Sequence, residues 1–309
     1  MSSSSAVDTS LFPSYFSTFP VRTHCNVAAI EVAMHHAIEE CTEPGSKDRK
    51  QSLHRHKGPV NLYAFTYPGS RTEKLQFVVK IIELTWVHDD INEEKPHQSA
   101  LHEHEVLRQA LHPEFDQNSD TGETVGAKKA YFQKIRQEIM ALDPINTPEL
   151  IHTLDRYLEE YDSHPMDAKT MDEYIPKRLI NSGLSVCPHF LRWAMDIHLS
   201  DDEFAAMKDF EDAMMRVVGL TNDYFSWGKE KYLSSDRIWN ALPILMKQFN
   251  LPEKEAKCML KGMIIDEEIL AKHLRMKLPP GSEDFWQYVA ALEYFVGGEP
   301  LLELELRRV

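Results

Sequence analysis

Asn222, Ser226 and Glu230 recur at intervals of four within the stretch GLTNDYFSWGKEK. At about 100° per residue, side chains so spaced fall within roughly 80° on one face of a helix. Their oxygens can therefore hold one cation together. A second set lies far upstream, in LTWVHDDINEE, where Asp89 and Glu93 are four apart and share a face, while Asp90 points about 100° away from Asp89. Every donor is a hard oxygen, which suits Mg²⁺ or Mn²⁺ and not the softer metals. Magnesium keeps several positions for water or phosphate oxygens. The pairing points to a diphosphate-bearing substrate.

Helices must bring these faces together. Residues 72–90 predict one, with Leu75, Val78, Val79, Ile82 and Trp86 on an apolar stripe that ends in the acidic cluster. Burying that stripe sets Asp89 at the mouth of an apolar cavity, with Trp86 one turn below as a wall. Residues 200–231 predict another, opened by the capping-box pattern Ser-Asp-Asp-Glu and running through Phe204, Met207, Phe210, Met214 and Val217 to the second set. Further helical spacing covers residues 26–40, 128–142, 148–162, 238–249, 252–278 and 283–296. Between residues 170 and 197, Gly183 and Pro188 interrupt an apolar segment, and a broken helix exposes backbone carbonyls. Residues 41–58 read as a loop, or a loop with a short helix in it, whose basic run at residues 54–57 is solvated, and the polar stretch 112–127 reads as a surface loop.

The fold class that follows is all-α, a single-domain helical bundle around an apolar cavity. Residues 1–20, rich in Ser and Pro, read as a flexible N-terminal arm, and residues 21–309 as the domain. The formal net charge of −15 disfavours a nucleic-acid or anionic-membrane surface. A negatively charged substrate must then be met by local cations. Cys25, Cys41, Cys187 and Cys258 make no CxxC or zinc spacing, which fits a reducing, cytoplasmic setting. No apolar run approaches the ~20 residues of a membrane span, and MSSSSAVDTS lacks the features of a signal peptide.

The pattern DDxxE at residues 89–93 followed by NDxxSxxKE at residues 222–230 resembles the paired metal motifs of class I terpene cyclases. With Tyr67-Pro68 ahead of the first motif and residues 174–183 between the two, the text is most similar to the cyclase domain of fungal bifunctional diterpene or sesterterpene synthases, over roughly residues 12–298. The resemblance implies the class I terpenoid synthase fold and a Mg²⁺-dependent reaction, with three ions and Mn²⁺ able to substitute. It assigns Asp89, Asp90, Glu93, Asn222, Ser226 and Glu230 to metal binding. It makes Arg178 a diphosphate sensor, Gly183 part of the break whose carbonyl helps trigger ionisation, and Lys229 a diphosphate contact. An ordinary helix-surface ion pair is the plainer reading of Arg178, as an exposed lysine is of Lys229.

The reaction so implied ionises a linear allylic isoprenoid diphosphate, geranylgeranyl or geranylfarnesyl diphosphate, and cyclises the carbocation to a diterpene or sesterterpene. Aromatic faces stabilise such cations; Phe65, Trp86, Tyr224, Trp227 and Trp286 are the candidates for the wall. The implied partners are the substrate and a prenyltransferase domain on a longer polypeptide, and the fold allows a homo-oligomer. The family pattern also carries a pocket aromatic and an Arg-Tyr pair near the C-terminus; here Arg307 and Arg308 have no tyrosine after them, and no aromatic follows Phe295. Three other readings compete. A trans-prenyltransferase would carry a second DDxxD in place of the Asn-Ser-Glu pattern. A metal-dependent HD phosphohydrolase would use His88-Asp89 with His35, His36, His102 or His104. A helical scaffold would merely solvate its acidic faces.

Overall fold

The computed structural model describes residues 4–12, 15–57, 61–93, 95–115, 123–161, 167–232 and 239–305; the side chains of residues 11, 91–93, 123–125 and 302–305 lie outside that description. Helix α4 (Thr72–Glu93) is the element around which the others pack. Its expected stripe is wider than the heptad spacing suggested: Leu75, Val78, Val79, Ile81, Leu84 and Val87 are all nearly inaccessible, as is Glu83. A helix apolar on most faces belongs inside a bundle. Helix α1 (Val27–Cys41) covers one side with Ile30, Met34, Ala37 and Ile38. Helix α6 (Glu123–Leu142) also contacts α4, and α5 (His97–Arg108) and α7 (Thr147–Glu160) complete that side.

The second long element is α10 (Asp201–Glu230). Thirty residues at 1.5 Å each span about 45 Å. Its start is fixed by the expected capping box, in which Ser200 Oγ accepts from the Glu203 amide and Glu203 accepts from the Ser200 amide at 2.9 Å. Helices α12 (Glu253–Met276) and α13 (Glu283–Glu305) pack along it, and α11 (Ala241–Phe249) closes its far end. Between the halves, α8 (Met171–Asn181) and α9 (Cys187–Met195) are separated by the predicted break. Gly183 turns there at φ +68°, a left-handed conformation that a side chain would strain. Pro188 falls in the first turn of α9, where its missing N–H costs nothing.

Three expectations change. The basic run at residues 54–57 is not wholly solvated: the short helix left open there forms as α2 (Lys47–Arg55) and lies against α4, with Arg55 and His56 turned inward while His54 and Lys57 stay exposed. Two strands, β1 (Ser4–Ala6) and β2 (Arg22–His24), pair antiparallel beside the bundle. The last helix, expected to stop at residue 296, runs on through Gly297-Gly298-Glu299-Pro300 to residue 305. The glycines explain why the sequence reads as a stop and folds as a helix. A Cβ on Gly297 would sit 2.4 Å from the Pro20 carbonyl oxygen and one on Gly298 2.5 Å from that of Phe65, which lies in the short helix α3 (Leu62–Thr66). The residues are small so that two backbones can touch the helix.

The N-terminal segment makes specific contacts. Phe19 is buried, the Tyr15 hydroxyl donates to the Gly297 carbonyl at 2.9 Å, and the Thr18 amide donates to Glu268 at 3.0 Å. Among the described residues no helix is long and apolar enough to cross a membrane.

Lys74, 5% exposed near the start of α4, binds Asp143 at 2.5 Å and Asp196, and lies over the Trp193 ring. One buried cation thus ties α4 to the turns after α6 and α9. Burial works against the charge on Asp143, but Lys74 and Asn146 outweigh it and hold the carboxyl down at about 2. A carboxyl so depressed contributes stability above its unfolded value of 3.8 and loses that contribution as pH falls towards 2. Replacing Lys74 with Met leaves the buried Asp143 without its cation, beside an Asp196 that keeps only Arg71. The variant is expected to lose about 3–5 kcal/mol in urea unfolding at neutral pH, and to lose less at pH 2–3, where Asp143 begins to protonate.

Candidate active site

The site is built on a buried cluster between α8 and α10. Asp223, fully inaccessible, accepts from Arg178 Nε at 2.9 Å, from the Tyr174 hydroxyl at 2.7 Å and from the Ala241 amide at 3.1 Å. Burial pushes its carboxyl up to about 6 against the pull of Arg178 and Tyr174. Burial opposes the charge on Arg178 as well, yet Asp223 holds that guanidinium above its ordinary range, so it stays cationic. The remaining arm of the Arg178 fork donates to Asn222 Oδ1 at 2.8 Å. A permanent positive charge is therefore fixed beside the first of the three same-face donors.

The other two donors are oriented by a residue that the sequence reading passed over. Asn240, inaccessible, extends one amide nitrogen to Glu230 Oε2 at 2.9 Å, to Ser226 Oγ at 3.3 Å and to the Asp223 carbonyl at 3.0 Å. Its own oxygen accepts from the Leu242 amide at 2.9 Å and caps α11. Nothing in the sequence around Asn240 marks it, because its partners lie on another helix. Aspartates and asparagines ahead of an apolar run are ordinary caps; what sets this one apart is the second use of its amide.

Opposite this face stands the end of α4. Asp89 lines the same cavity as Asn222 and Glu230. Asp90 does not: it forms an ion pair with Arg55 of α2, whose guanidinium lies 4.9 Å over the Trp86 ring. The rotation of about 100° between neighbours on a helix sends it there. Glu93 belongs to α4, but its side chain lies outside the described residues. Beneath Trp86, the buried Glu83 accepts from Tyr63 at 2.5 Å and pairs with His56 at 2.6 Å, so α2 and α3 are both fastened to the wall of the cavity. His88 faces away from the cavity, into a buried cluster with His104 at 2.8 Å and Lys128 at 3.3 Å. Its place there gives no support to the HD phosphohydrolase reading.

Among the described residues, no three His, Cys, Asp or Glu side chains gather as a metal cluster. The donor set of α10 explains that, since two of its three members are an amide and a hydroxyl. Asn222 accepts from Arg178 through its amide oxygen, and Asn240 holds Ser226 and Glu230 on the same side. Oxygen donors facing Asp89 across a gap fit a hard cation that keeps open positions.

The cavity encloses about 340 Å³. Trp86, Arg178, Gly183, Asp89, Asn222 and Glu230, expected from the sequence, all line it. Phe65, Tyr224, Trp227 and Trp286 do not. Phe65 lies two residues from Tyr63 and from Tyr67, which at 100° per residue puts it on the other side of the chain. Tyr224 packs edge-on to Phe16 at 5.5 Å, Trp227 packs into the core beside Ser226, and Trp286 is 40% exposed. Lys229 is exposed on the outer face of α10. The aromatic walls are Tyr63, Tyr67, Tyr157, Tyr161, Phe190, Trp239 and Phe295 in addition to Trp86. Tyrosines four apart, at 63 and 67 and again at 157 and 161, were the available signal, because such pairs share a helix face. Arg307 and Arg308 lie outside the described residues.

The fold is shared with solved structures at low sequence identity. Aristolochene synthase from Penicillium roqueforti superposes with a TM-score of 0.74 at 16% identity, covering 90% of this chain and 94% of that one. Hedycaryol synthase gives 0.75 at 18%, covering 96% and 98%. Among curated proteins, a sesterterpene synthase of Colletotrichum orbiculare is 28% identical over 306 residues, 95% of this chain and 40% of its own length. Fusoxypene synthase of Fusarium oxysporum is 27% identical over 85% of this chain and 37% of its own length. A bifunctional terpene synthase of Fusarium proliferatum is 26% identical over 82% and 34%. The chain thus spans 40% or less of the length of these relatives. The family described as terpene synthase family 2, C-terminal metal binding, matches residues 80–268, a span that holds Asp89, Arg178 and the whole Asn222, Ser226, Glu230 face. The chain belongs to that terpene synthase family.

Proposed function

We propose that the chain is a Mg²⁺-dependent cyclase of a linear allylic isoprenoid diphosphate. One observation carries the reading: Asp89 of α4 and Asn222 and Glu230 of α10 border one side of a cavity whose lining is otherwise mostly aromatic and aliphatic, with Glu299 as a further carboxylate. Asp89, Asn222, Ser226 and Glu230 are the residues that would hold the ions, with Glu93 as the further candidate from the sequence; three ions are the expected number. Asp90 is assigned instead to holding Arg55 over Trp86. Bound divalent ions would neutralise the diphosphate and stabilise it as a leaving group.

The chain's own residues do the rest. A carboxylate-rich rim repels a diphosphate, each unit pair at 4 Å costing about 1 kcal/mol in water and more in a partly dry site. Arg178 places a fixed cation at that rim, and Asp223 keeps it charged and aimed. Its contact strengthens as charge moves onto the leaving diphosphate, which is how a preorganised donor lowers a barrier. The break at Gly183 lines the same space and supplies the polar backbone nearest to it. Below the rim, the rings of Trp86, Tyr63 and Phe295 would offer each passing carbocation about 0.5–2 kcal/mol, and the apolar side chains around them disfavour the water that would trap it as an alcohol.

The relatives are named for sesterterpene and other terpene synthases. On that basis we infer a C20 or C25 substrate, geranylgeranyl or geranylfarnesyl diphosphate, delivered by a prenyltransferase activity on the same longer polypeptide.

Incubation with farnesyl, geranylgeranyl and geranylfarnesyl diphosphates is expected to give a cyclic hydrocarbon from the C20 or C25 substrate with Mg²⁺ and none with EDTA, read by mass spectrometry of the extract. Release of elongated prenyl diphosphate, or no product from any substrate, would overturn the proposal. Replacing Arg178 with Lys keeps the charge but loses the fork that Asp223 and Asn222 share, and turnover should fall by about 10²–10³. Replacing Asn240 with Ser keeps the cap on α11 and removes the amide that orients Ser226 and Glu230. Its half-saturating Mg²⁺ concentration should rise about 10–100-fold, with the circular-dichroism spectrum unchanged.

A further inference from the structure

Among the described residues, three carboxylates line the main cavity. Asp89 and Glu230 belong to the metal-side rim. Glu299 does not: it comes from α13, which carries no member of either motif, and it is 6% exposed. It follows Phe295 by one helical turn, so the two share a face, and Phe295 packs edge-on to Tyr67 with ring centres 5.4 Å apart. Tyr67 in turn follows Tyr63 by four residues, and Tyr63 lies 6.0 Å from Trp86. Trp86, Tyr63, Tyr67 and Phe295 thus form a run of aromatic wall from the metal side to Glu299.

The position is rigid. Gly297 and Gly298 seat α13 directly on the Pro20 and Phe65 carbonyls, leaving the next residue no latitude to withdraw by a shift of the helix. Among the described lining residues, the other ionisable side chains on this side are Tyr67 and Cys187. Burial holds the nearby Tyr67 phenol well above its ordinary range and pushes the Cys187 thiol up to about 12, so both remain protonated. A carboxylate at that place is the group able to take a proton.

Given the cyclase reading above, on which this rests, we propose that Glu299 is the catalytic residue that ends the cation cascade. The step balances simply. A C–H bond next to the cationic carbon breaks, its electron pair becomes the new double bond, and the proton goes to a Glu299 carboxylate oxygen. The product leaves as a neutral olefin, and the carboxyl returns its proton to solvent once the cavity opens. Before that transfer the same carboxylate attracts positive charge to its end of the cavity, biasing which carbon bears the cation last.

The test compares the native protein with Glu299→Gln and Glu299→Asp, loaded with Mg²⁺ and the accepted substrate, reading released diphosphate and extracted product separately. Per diphosphate released, E299Q is expected to give at least about tenfold less of the native product, replaced by a double-bond isomer or an alcohol; E299D, which keeps a carboxylate, retains the native product as the main one. Binding of a lipophilic tertiary ammonium, a stable mimic of the cation, is read by tryptophan fluorescence with Mg²⁺ and inorganic diphosphate present. It should weaken at least about tenfold in E299Q, since one charge pair in a dry site is lost. An unchanged product profile in both variants, or equal ammonium affinity in native and E299Q proteins, overturns the role of Glu299 and leaves the cyclase reading intact. Failure of the native protein to release diphosphate from any substrate overturns that reading and this proposal with it.

Discussion

The pair between Arg178 and Asp223 is the interaction on which the site depends. Neither residue could be buried alone: an unpaired charge in such a place costs several kcal/mol, and only close, well-aligned partners offset it. Asp223 solves this with three donors from three directions, one each from the Arg178 and Tyr174 side chains of α8 and one from the first amide of α11. The result joins α8, α10 and α11 at one carboxylate. It also spends only part of the guanidinium, whose other arm reaches Asn222 on the face where cations would sit. Positive and negative ends of the site are thus locked in register by the fold before any ligand arrives.

A similar economy governs the opposite wall. The buried Glu83 binds Tyr63 and His56, and Asp90 binds Arg55, so the outer helix α2 and the short α3 are both held to α4 around Trp86. Trp86 is consequently held in orientation by the Arg55 guanidinium over its ring and the His56 and Tyr63 rings beside it, and it still lines the cavity. An aromatic surface used to steady a short-lived cation needs that stiffness, because the attraction falls off quickly once the cation leaves the ring face.

Much of this was legible in the sequence, and the limits have a physical pattern. Periodicity within one helix was enough to group Asn222, Ser226 and Glu230 on one face and to single out Asp89, since a spacing of four fixes a shared face without any knowledge of neighbours; Asp89, Asn222 and Glu230 do line the cavity. The break at Gly183 was legible for the same local reason. Asn240 and Asp223 were not, because their roles exist only between helices. The aromatic wall failed differently: Phe65, Tyr224 and Trp227 were candidates by residue type, whereas direction along a helix turns by about 100° at every residue and neighbours face different ways. Tyr63 and Tyr67 flank Phe65 and point the other way. The last helix was cut short because a Gly-Gly-Glu-Pro run reads as punctuation, and only the Pro20 and Phe65 backbones show why it continues.

That contact of α13 with two carbonyls has a bearing on how such a protein changes over time. Where helices are spaced by side chains, altering a residue to reshape a cavity also alters the distance between its walls. Here one wall is set by backbone touching backbone at Gly297 and Gly298. Substitutions at Tyr67, Phe190 or Phe295 can therefore redraw the contour of the cavity without moving the frame that holds it. Within α13 itself the two tasks fall to different residues, Phe295 to the shape of the space and Gly297 and Gly298 to its spacing, so the one can drift while the other stays fixed.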